Sequence, residues 1–168
     1  MVKVFFSAIG QDSHRFDPDS SEKPLILGGV TVPGTPGLKG NSDADVILHA
    51  ICNALSGLSG VTILGKRTDY LCNEKGITDS TVYVREALDT LDGITLVHLS
   101  VTVEAKRPRF QNMSQSIRES IAELVNLPVH HVGLTATSGE GLTSFGRGEG
   151  IAVFVIASAF KEEHLTSA

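Results

Sequence analysis

The sequence predicts an α/β domain, an α+β sandwich in which helices pack on one face of a mixed β-sheet. Three observations favour this class. Apolar segments of strand length recur along the chain, segments with helical apolar spacing separate them, and glycine or proline marks most junctions. The chain has 168 residues, enough for one core, and no repeat or linker divides it, so we expect a single domain over residues 1–168.

The first forty residues predict two strands and a loop. Val2 to Ile9 is mostly apolar and predicts the first strand, and Pro24 to Val32 predicts a second strand that bends at Gly28-Gly29. Pro33 to Gly40 contains two prolines and three glycines, and it therefore predicts a loop.

A helix is expected after this loop. Ser42, followed by Asp45 three residues later, matches the acidic form of a helix capping box, so Ser42 is the expected N-cap. The helix is expected to continue to about Ser56, and the glycines that follow should end it. The next segment, Val61 to Gly76, has no clear period and predicts a loop.

The second half of the chain predicts two helices and three strands. Each helix is predicted by a capping residue followed by apolar residues at helical spacing. The strands are predicted by segments in which apolar residues alternate or are continuous. The expected elements are a helix capped by Asp79 or Ser80 and running to about Leu91, a strand from Ile94 to Glu104, a helix opened by Ser114 or Ser116 and stopped by Pro128, a strand from Val132 to Thr137 and a strand from Ile151 to Phe160.

Charge and cysteine content exclude several classes of protein. The chain carries 14 basic and 19 acidic residues, a formal net charge of −5, which argues against general binding to nucleic acid or anionic membranes. Cys52 and Cys72 are too few for a disulfide scaffold and are expected to be free thiols. No signal peptide is expected, and no apolar run approaches the ~20 residues of a membrane span, so we expect a cytoplasmic protein.

Asp12, His14 and His49 form a candidate metal site. Asp12 and His14 are two residues apart at the end of a strand, where alternate side chains share a face, and His49 lies in the first helix. One carboxylate and two imidazoles match a catalytic zinc site whose fourth position is open for substrate oxygen. Asp45, one turn before His49, is expected to accept a hydrogen bond from an imidazole. Taken singly, a turn-capping Asp12 and a packed helix histidine remain alternatives.

Two further regions are suited to phosphate binding. The glycine-rich segment Thr137 to Gly150 allows close approach of a ligand to the backbone, Glu140 offers an oxygen to a hard divalent cation, and Arg147 suits a phosphate. Glu104 to Phe110 carries three basic residues at a strand exit and suits an anionic nucleotide. A hairpin with solvated charges and a solvated basic loop are the alternatives.

Three motifs resemble, in combination, a known enzyme family. The motifs are Gly10-Gln11-Asp12-Ser13-His14-Arg15-Phe16, Asn41-Ser42-Asp43-Ala44-Asp45-Val46 with His49-Ala50, and Gly146-Arg147-Gly148-Glu149-Gly150. In this order and at these separations they resemble the 2-C-methyl-D-erythritol 2,4-cyclodiphosphate synthase family of the non-mevalonate isoprenoid pathway. The resemblance covers about Ile9 to Phe160 and is that of a divergent member.

The resemblance implies a homotrimer with active sites between neighbouring subunits. The implied reaction is a metal-dependent intramolecular phosphoryl transfer by a phosphorus-oxygen lyase. It converts 4-diphosphocytidyl-2-C-methyl-D-erythritol 2-phosphate to 2-C-methyl-D-erythritol 2,4-cyclodiphosphate and releases CMP. The implied cofactors are Zn²⁺, one per active site, and Mg²⁺ or Mn²⁺ as a second divalent ion. The implied partners are the small-molecule substrate and other copies of the chain, with neither nucleic acid nor membrane.

The resemblance also implies roles for individual residues. The implied Zn²⁺ ligands are Asp12, His14 and His49. Glu140 would help to place the second ion, while Asn41 and Ser138 would stabilise the transition state. The implied substrate-binding residues are Ser42, Gly65, Ala105, Lys106, Arg107, Pro108, Arg109, Phe110, Thr137, Gly139, Ser144 and Arg147.

Several positions depart from the family pattern. Asn41 replaces the usual His, Asn53 stands where Asp is common, and Ser144 takes the position of the usual Phe, which follows here as Phe145. Thr62-Ile63-Leu64-Gly65 replaces Gly-Asp-Ile-Gly and lacks a carboxylate for the sugar hydroxyls. The zinc motif is therefore intact, whereas sugar recognition is expected to differ.

Three other functions are compatible with the same residues. A zinc-dependent phosphodiesterase or hydrolase would use a metal-bound hydroxide. A non-catalytic trimer that binds isoprenoid diphosphates would use Arg147 as its phosphate anchor. A purely structural metal site would predict that chelation unfolds the protein.

Overall fold

A computed structural model describes residues 1–19 and 23–164. The last residues of the expected domain, 165–168, and the segment 20–22 lie outside the described residues. The strands are β1 (Val2–Arg15), β2 (Pro24–Leu27), β3 (Val30–Pro36), β4 (Ile94–Glu104), β5 (Val132–Thr137) and β6 (Gly150–Glu163). The helices are α1 (Val46–Ser59), α2 (Lys66–Lys75), α3 (Ser80–Asp89) and α4 (Ser114–Leu124).

The main sheet has the strand order β1-β6-β4-β5. Only the β4–β5 pair of this sheet is parallel, so the sheet is mixed, and β2 and β3 form a separate hairpin. The α/β class with a mixed sheet is confirmed. Among the described residues, no helix is both long and apolar enough to cross a membrane.

Helix α1 packs directly on strand β1. A Cβ atom added at Gly10 would lie 2.1 Å from the carbonyl oxygen of Ala50, and one added at Gly57 would lie 2.9 Å from the Cβ of Ala8. Glycine is required at these two positions because any side chain would separate the helix from the strand. This close packing places the residues of β1 that follow Gly10 beside the first turn of α1.

The other face of the sheet carries exposed apolar side chains. Phe5 and Ile9 on β1 are 68% and 67% exposed, and Phe154 and Ile156 on β6 are 45% and 47% exposed. Strand alternation puts these four residues opposite the buried row that faces the helices. Ile9 pairs with Ile156 across the two strands, and Ser7 and Ser158 separate this pair from Phe5. Exposed apolar side chains on a sheet face provide area that a protein interface would bury.

Two strand predictions need correction. Strand β1 continues past the expected end at Ile9, because β6 pairs with it along its whole length to Arg15. The strand expected from Pro24 to Val32 is a hairpin of β2 and β3, since Gly28 and Gly29 both adopt positive φ angles and reverse the chain. Strand β3 also extends into the expected loop.

The loop expected over Val61 to Gly76 is wrong, because Lys66–Lys75 forms helix α2. Only Thr68 and Leu71 of this helix are buried, so no apolar stripe marks it in the sequence. Local contacts define its ends: Thr68 Oγ1 accepts a hydrogen bond from the amide of Gly65 at 3.0 Å, and a left-handed glycine follows the last turn.

Asp45, rather than Ser42, is the N-cap of α1. Asp45 Oδ1 accepts hydrogen bonds from the amides of Ile47 at 3.1 Å and Leu48 at 3.0 Å. Ser42 lies before the helix and accepts a hydrogen bond from the amide of Ala44 at 3.1 Å. The expected capping box does not form, because the positive φ angle of Ala44, 58°, interrupts the backbone path between the two residues.

The remaining expected elements are confirmed with small shifts at their ends. Helix α1 ends at Ser59 with a left-handed glycine, three residues later than expected, and Asp79 caps α3 as predicted. Helix α4 ends at Leu124, before the expected stop at Pro128, because Asn126 adopts a positive φ angle of 53°. Strand β6 extends beyond the expected Phe160 by continued pairing with β1.

Candidate metal centre

Asp12, His14 and His49 converge as the sequence predicts. Asp12 and His14 are two residues apart on β1, so both lie on the face that α1 covers, and His49 lies in the first turn of α1. Asp12 Oδ2 lies 3.0 Å from His14 Nε2 and 3.0 Å from His49 Nδ1, and the two ring nitrogens are 3.2 Å apart. The three donor atoms therefore form a nearly equilateral triangle.

This triangle fits a tetrahedral metal ion. With metal–ligand distances near 2.0–2.1 Å, the ligand atoms of tetrahedral zinc are about 3.3 Å apart. One carboxylate oxygen and two imidazole nitrogens are donors that zinc accepts, and three protein ligands leave one position open. Among the described residues, this is the one cluster of three or more His, Cys, Asp or Glu side chains with such spacing.

Charge in the cluster also suits a cation. Burial opposes ionisation of Asp12, but hydrogen bonds with His14 and His49 outweigh burial, and the pKa of this carboxyl lies well below its ordinary value. Burial acts to lower the pKa of His14, yet the hydrogen bond with Asp12 outweighs it and raises that pKa. Asp12 is thus ionised at neutral pH, and a bound metal would displace protons that the imidazoles share with it.

The outer nitrogen of each imidazole has a different partner. His14 Nδ1 donates to the carbonyl oxygen of Lys39 at 2.7 Å, which leaves Nε2 for the centre. His49 Nε2 lies 2.9 Å from Ser80 Oγ and 3.4 Å from Ser42 Oγ. Both rings therefore present their remaining nitrogen to Asp12.

The predicted partner of His49 is wrong. Asp45 does not contact the imidazole, because its carboxylate is fully buried as the cap of α1 and also accepts hydrogen bonds from the amides of Gly28 and Gly29 at 2.9 and 2.6 Å. Ser80 takes that place, from a helix that the sequence predicts but does not link to His49. Nothing in the local pattern around Ser80 signals this contact.

The candidate centre opens into a cavity of about 460 Å³, which we call the metal cavity. Asn41, Ser42 and Gly65 line it, as the family resemblance implies. Residues that the sequence prediction did not include also line it: Gly40, Asn53, Leu64, Thr68, Asp69, Cys72 and Tyr83. Helix α2 contributes three of these residues, and its prediction as a loop explains why they were missed.

A second cavity, of about 540 Å³, lies beside β5; we call it the basic cavity. Among the implied substrate-binding residues, those that line it are Ala105, Lys106, Pro108, Arg109, Phe110 and Thr137, together with the implied catalytic Ser138. Arg107 does not line it, because its guanidinium group lies 4.9 Å from the ring centre of Phe16. The role of Arg107 in substrate binding stays a prediction.

The glycine-rich turn lines the basic cavity at its start, through Ser138, and a third, smaller cavity at its end, through Gly150. Glu140 is exposed, has a positive φ angle of 51° and, among the described residues, makes only long contacts of 3.5 Å with Ser138. Gly139 has a positive φ angle of 68°, which favours glycine, and a Cβ there would displace the side chain of Glu104. Ser144 lines the third cavity, of about 310 Å³, and accepts a hydrogen bond from Arg147 at 3.0 Å.

The metal cavity and the basic cavity lie at opposite edges of the sheet. Ser13 pairs with Ala152, Ala152 with Glu104, and Glu104 with Thr137, so all four lie in one row across the strands. Three strand spacings separate Ser13 from Thr137, a distance of about 14 Å. One chain therefore does not bring the two sets of predicted residues together.

Comparison with known proteins decides the family. The family model described as the YgbB family matches residues 5–159. The chain belongs to the YgbB family. Its relatives include 2-C-methyl-D-erythritol 2,4-cyclodiphosphate synthase from Chlamydia trachomatis serovar L2b, 48% identical over 154 residues, which cover 91% of this chain and 86% of the relative. The synthase of that name from Chlamydia muridarum is 44% identical over 159 residues, 94% of this chain and 89% of the relative.

Solved structures share the fold of this chain. A 2C-methyl-D-erythritol-2,4-cyclodiphosphate synthase in its CDP-bound form matches with a TM-score of 0.78 at 26% identity, covering 92% of this chain and 99% of that chain. The bifunctional IspDF from Campylobacter jejuni matches with a TM-score of 0.86 at 27% identity over 96% of this chain. This chain spans 44% of that bifunctional protein.

Proposed function

We propose that this chain is a 2-C-methyl-D-erythritol 2,4-cyclodiphosphate synthase that acts in isoprenoid precursor biosynthesis. Family membership and the names of relatives up to 48% identical support this function. The substrate is 4-diphosphocytidyl-2-C-methyl-D-erythritol 2-phosphate. An oxygen of its 2-phosphate bonds to the β-phosphorus, the bond from that phosphorus to the bridging oxygen breaks, and CMP leaves, as in a phosphorus-oxygen lyase.

The single observation that carries the proposal is the triangle of Asp12, His14 and His49 at the opening of the metal cavity. The donor set favours Zn²⁺, which when bound polarises a phosphate oxygen and neutralises its charge. Asp12 supplies a negative charge to hold the cation, and the two imidazoles are held by Lys39 and Ser80 so that their free nitrogens face it. A net acidic protein can bind a polyanionic substrate in this way.

The reaction requires no nucleophile from the protein. Nucleophile and electrophile belong to one substrate, so the protein needs to fold the substrate on itself and to stabilise charge on phosphorus oxygens. Asn41 lines the metal cavity and Ser138 lines the basic cavity, where each can donate a hydrogen bond. We assign transition-state stabilisation to both.

The basic cavity is suited to the cytidine phosphate. Lys106 and Arg109 supply positive charge there, and the apolar Phe110 and Pro108 suit the face of a base. Glu140 lies in the adjoining turn with no strong partner for its carboxylate among the described residues, which leaves an oxygen for a second divalent ion, Mg²⁺ or Mn²⁺.

A homotrimer would unite the two cavities. The metal cavity and the basic cavity lie at opposite edges of one sheet, so the basic cavity of a neighbouring copy has to complete each site. The exposed apolar area formed by Phe5, Ile9, Phe154 and Ile156 provides a surface that such an assembly would bury. The cytoplasmic location expected from the sequence stays a prediction.

A product assay on the purified protein tests the proposal. Zinc analysis should find about one ion per chain, and incubation with substrate and Mg²⁺ should release CMP and give a cyclic diphosphate in the phosphorus NMR spectrum. A linear product would instead indicate a hydrolase. Tight binding of an isoprenoid diphosphate without turnover would indicate a binding protein, and either result would overturn the proposed reaction.

A further inference from the structure

His49 and Ser80 meet at the buried junction of α1 and α3. Ser80 is fully buried, and His49 is 8% exposed. Ser80 Oγ lies 2.9 Å from His49 Nε2, and the Ser80 hydroxyl also hydrogen-bonds to Asp43 Oδ1. The three side chains form a row that begins at the candidate metal centre and ends at a carboxylate.

Counting protons fixes the direction of these hydrogen bonds. A serine hydroxyl carries one proton, and the Asp43 carboxylate can only accept it. Ser80 Oγ is therefore the acceptor toward His49, and the imidazole donates from Nε2. A neutral imidazole with its proton on Nε2 has its lone pair on Nδ1. Nδ1 is the atom that lies 3.0 Å from Asp12 Oδ2.

Further hydrogen bonds fix the positions of Asp43 and Ser80 relative to each other. Asp43 Oδ2 accepts a hydrogen bond from the amide of Ser80 at 3.0 Å, and the amide of Asp43 donates to the carbonyl of Thr78 at 2.8 Å. Asp43 Oδ1 also accepts from the amide of Asp45 at 3.1 Å. The carboxylate is thus fixed by backbone groups at the start of both helices, and Ser80 has little freedom to turn its hydroxyl elsewhere.

We propose that Ser80 and Asp43 are positioning residues, which hold His49 as the tautomer protonated on Nε2 so that Nδ1 points to the metal. This inference rests on the metal site of the proposed function. The two imidazoles differ here: a backbone carbonyl orients His14 and no substitution can remove it, whereas side chains orient His49. Substitution can therefore weaken metal binding through His49 without altering any ligand.

Zinc affinity of matched variants tests the inference. Ser80→Ala removes the nearer acceptor of the His49 proton and leaves only the Ser42 hydroxyl, at 3.4 Å. We expect it to weaken zinc binding by roughly tenfold to a hundredfold in a competition titration against a chromophoric chelator. Asp43→Asn keeps an oxygen acceptor for the Ser80 hydroxyl and should have a smaller effect. Thr81→Ala is the matched control, because it removes a hydroxyl from the same turn of α3 that does not contact His49 and should leave zinc affinity unchanged.

NMR of labelled histidine nitrogens provides a test that needs no variant to fold. In the zinc-loaded wild-type chain, His49 should carry its proton on Nε2 and bind zinc through Nδ1, whereas His14 should bind through Nε2. The inference is wrong if Ser80→Ala binds zinc as tightly as the wild type, or if zinc binds Nε2 of His49. In either case, CMP release by the wild type would leave the proposed function intact.

Discussion

The metal cavity and the basic cavity differ in how completely one chain builds them. In the metal cavity, Asp12, His14 and His49 lie on a long paired strand and a buried helix, with donor atoms 3.0–3.2 Å apart. At the basic cavity, Ser138 lines the wall, and Glu140 in the adjoining short turn makes contacts of 3.5 Å with it. The comparison teaches that one chain alone arranges the donor atoms of the metal cavity, whereas the turn beside the basic cavity is held by weaker contacts.

Removing a metal ligand should have the largest effect. His14→Ala and His49→Ala should each abolish zinc binding and lower CMP release by roughly a thousandfold or more, because the remaining two ligands cannot hold the ion that stabilises the reacting phosphate. Zinc content and CMP release are the measurements. The exposed His130 lies in a 3-10 turn that lines none of the three cavities, so His130→Ala should retain both.

The same variants separate a catalytic from a structural metal. Circular dichroism should show that His49→Ala and chelated wild type keep their helices, since the core is apolar and independent of the ion. Unfolding on chelation would assign the metal a structural role. Retained turnover in both histidine variants would show that Asp12, His14 and His49 do not form the catalytic centre.

Mixing two inactive variants tests whether the two cavities combine across subunits. His49→Ala damages the metal cavity and Ser138→Ala damages the basic cavity, so each variant alone should be nearly inactive. In co-expressed random oligomers, a site is intact when its metal cavity comes from Ser138→Ala and its basic cavity from His49→Ala. About a quarter of the sites should have this composition, so about a quarter of the activity should return. No recovery in verified mixed oligomers would place both halves of each site in one chain.

Weakening the proposed site of the second ion should reduce activity less, and the loss should depend on the Mg²⁺ concentration. Glu140→Gln keeps the size of the side chain and removes its charge, so CMP release should fall about tenfold at limiting Mg²⁺ and recover when Mg²⁺ is in excess. The activity should be measured over a series of Mg²⁺ concentrations. A loss of the same size at every concentration would mean that Glu140 does not hold the ion.

Asn41→His should have the smallest effect. Asn41 lines the metal cavity where the family usually has His, and either side chain can donate a hydrogen bond to a substrate phosphate. Turnover should stay within about threefold of wild type, with zinc content unchanged. A large drop in kcat would show that the metal cavity is arranged around asparagine.

Part of the structure could be predicted because the pattern is local. Alternation places Asp12 and His14 on one face of β1, and the expected helices α1, α3 and α4 all form. Helix α2 was missed because its residues are mostly exposed and no apolar period marks it. Because α2 was not predicted, Thr68 and Asp69 were not expected to line the metal cavity.

The sequence by itself determined the class of fold, the family and the three candidate ligands, because period and residue type can be recognised from neighbouring positions. Only the tertiary structure decided that Asp45 caps a helix while Ser80 supports His49, a residue 31 positions away along the chain. It also decided that the metal cavity and the basic cavity lie at opposite edges of the sheet. Both results depend on which helices and strands pack together, and the spacing of residues along the sequence does not specify strand order or helix contacts.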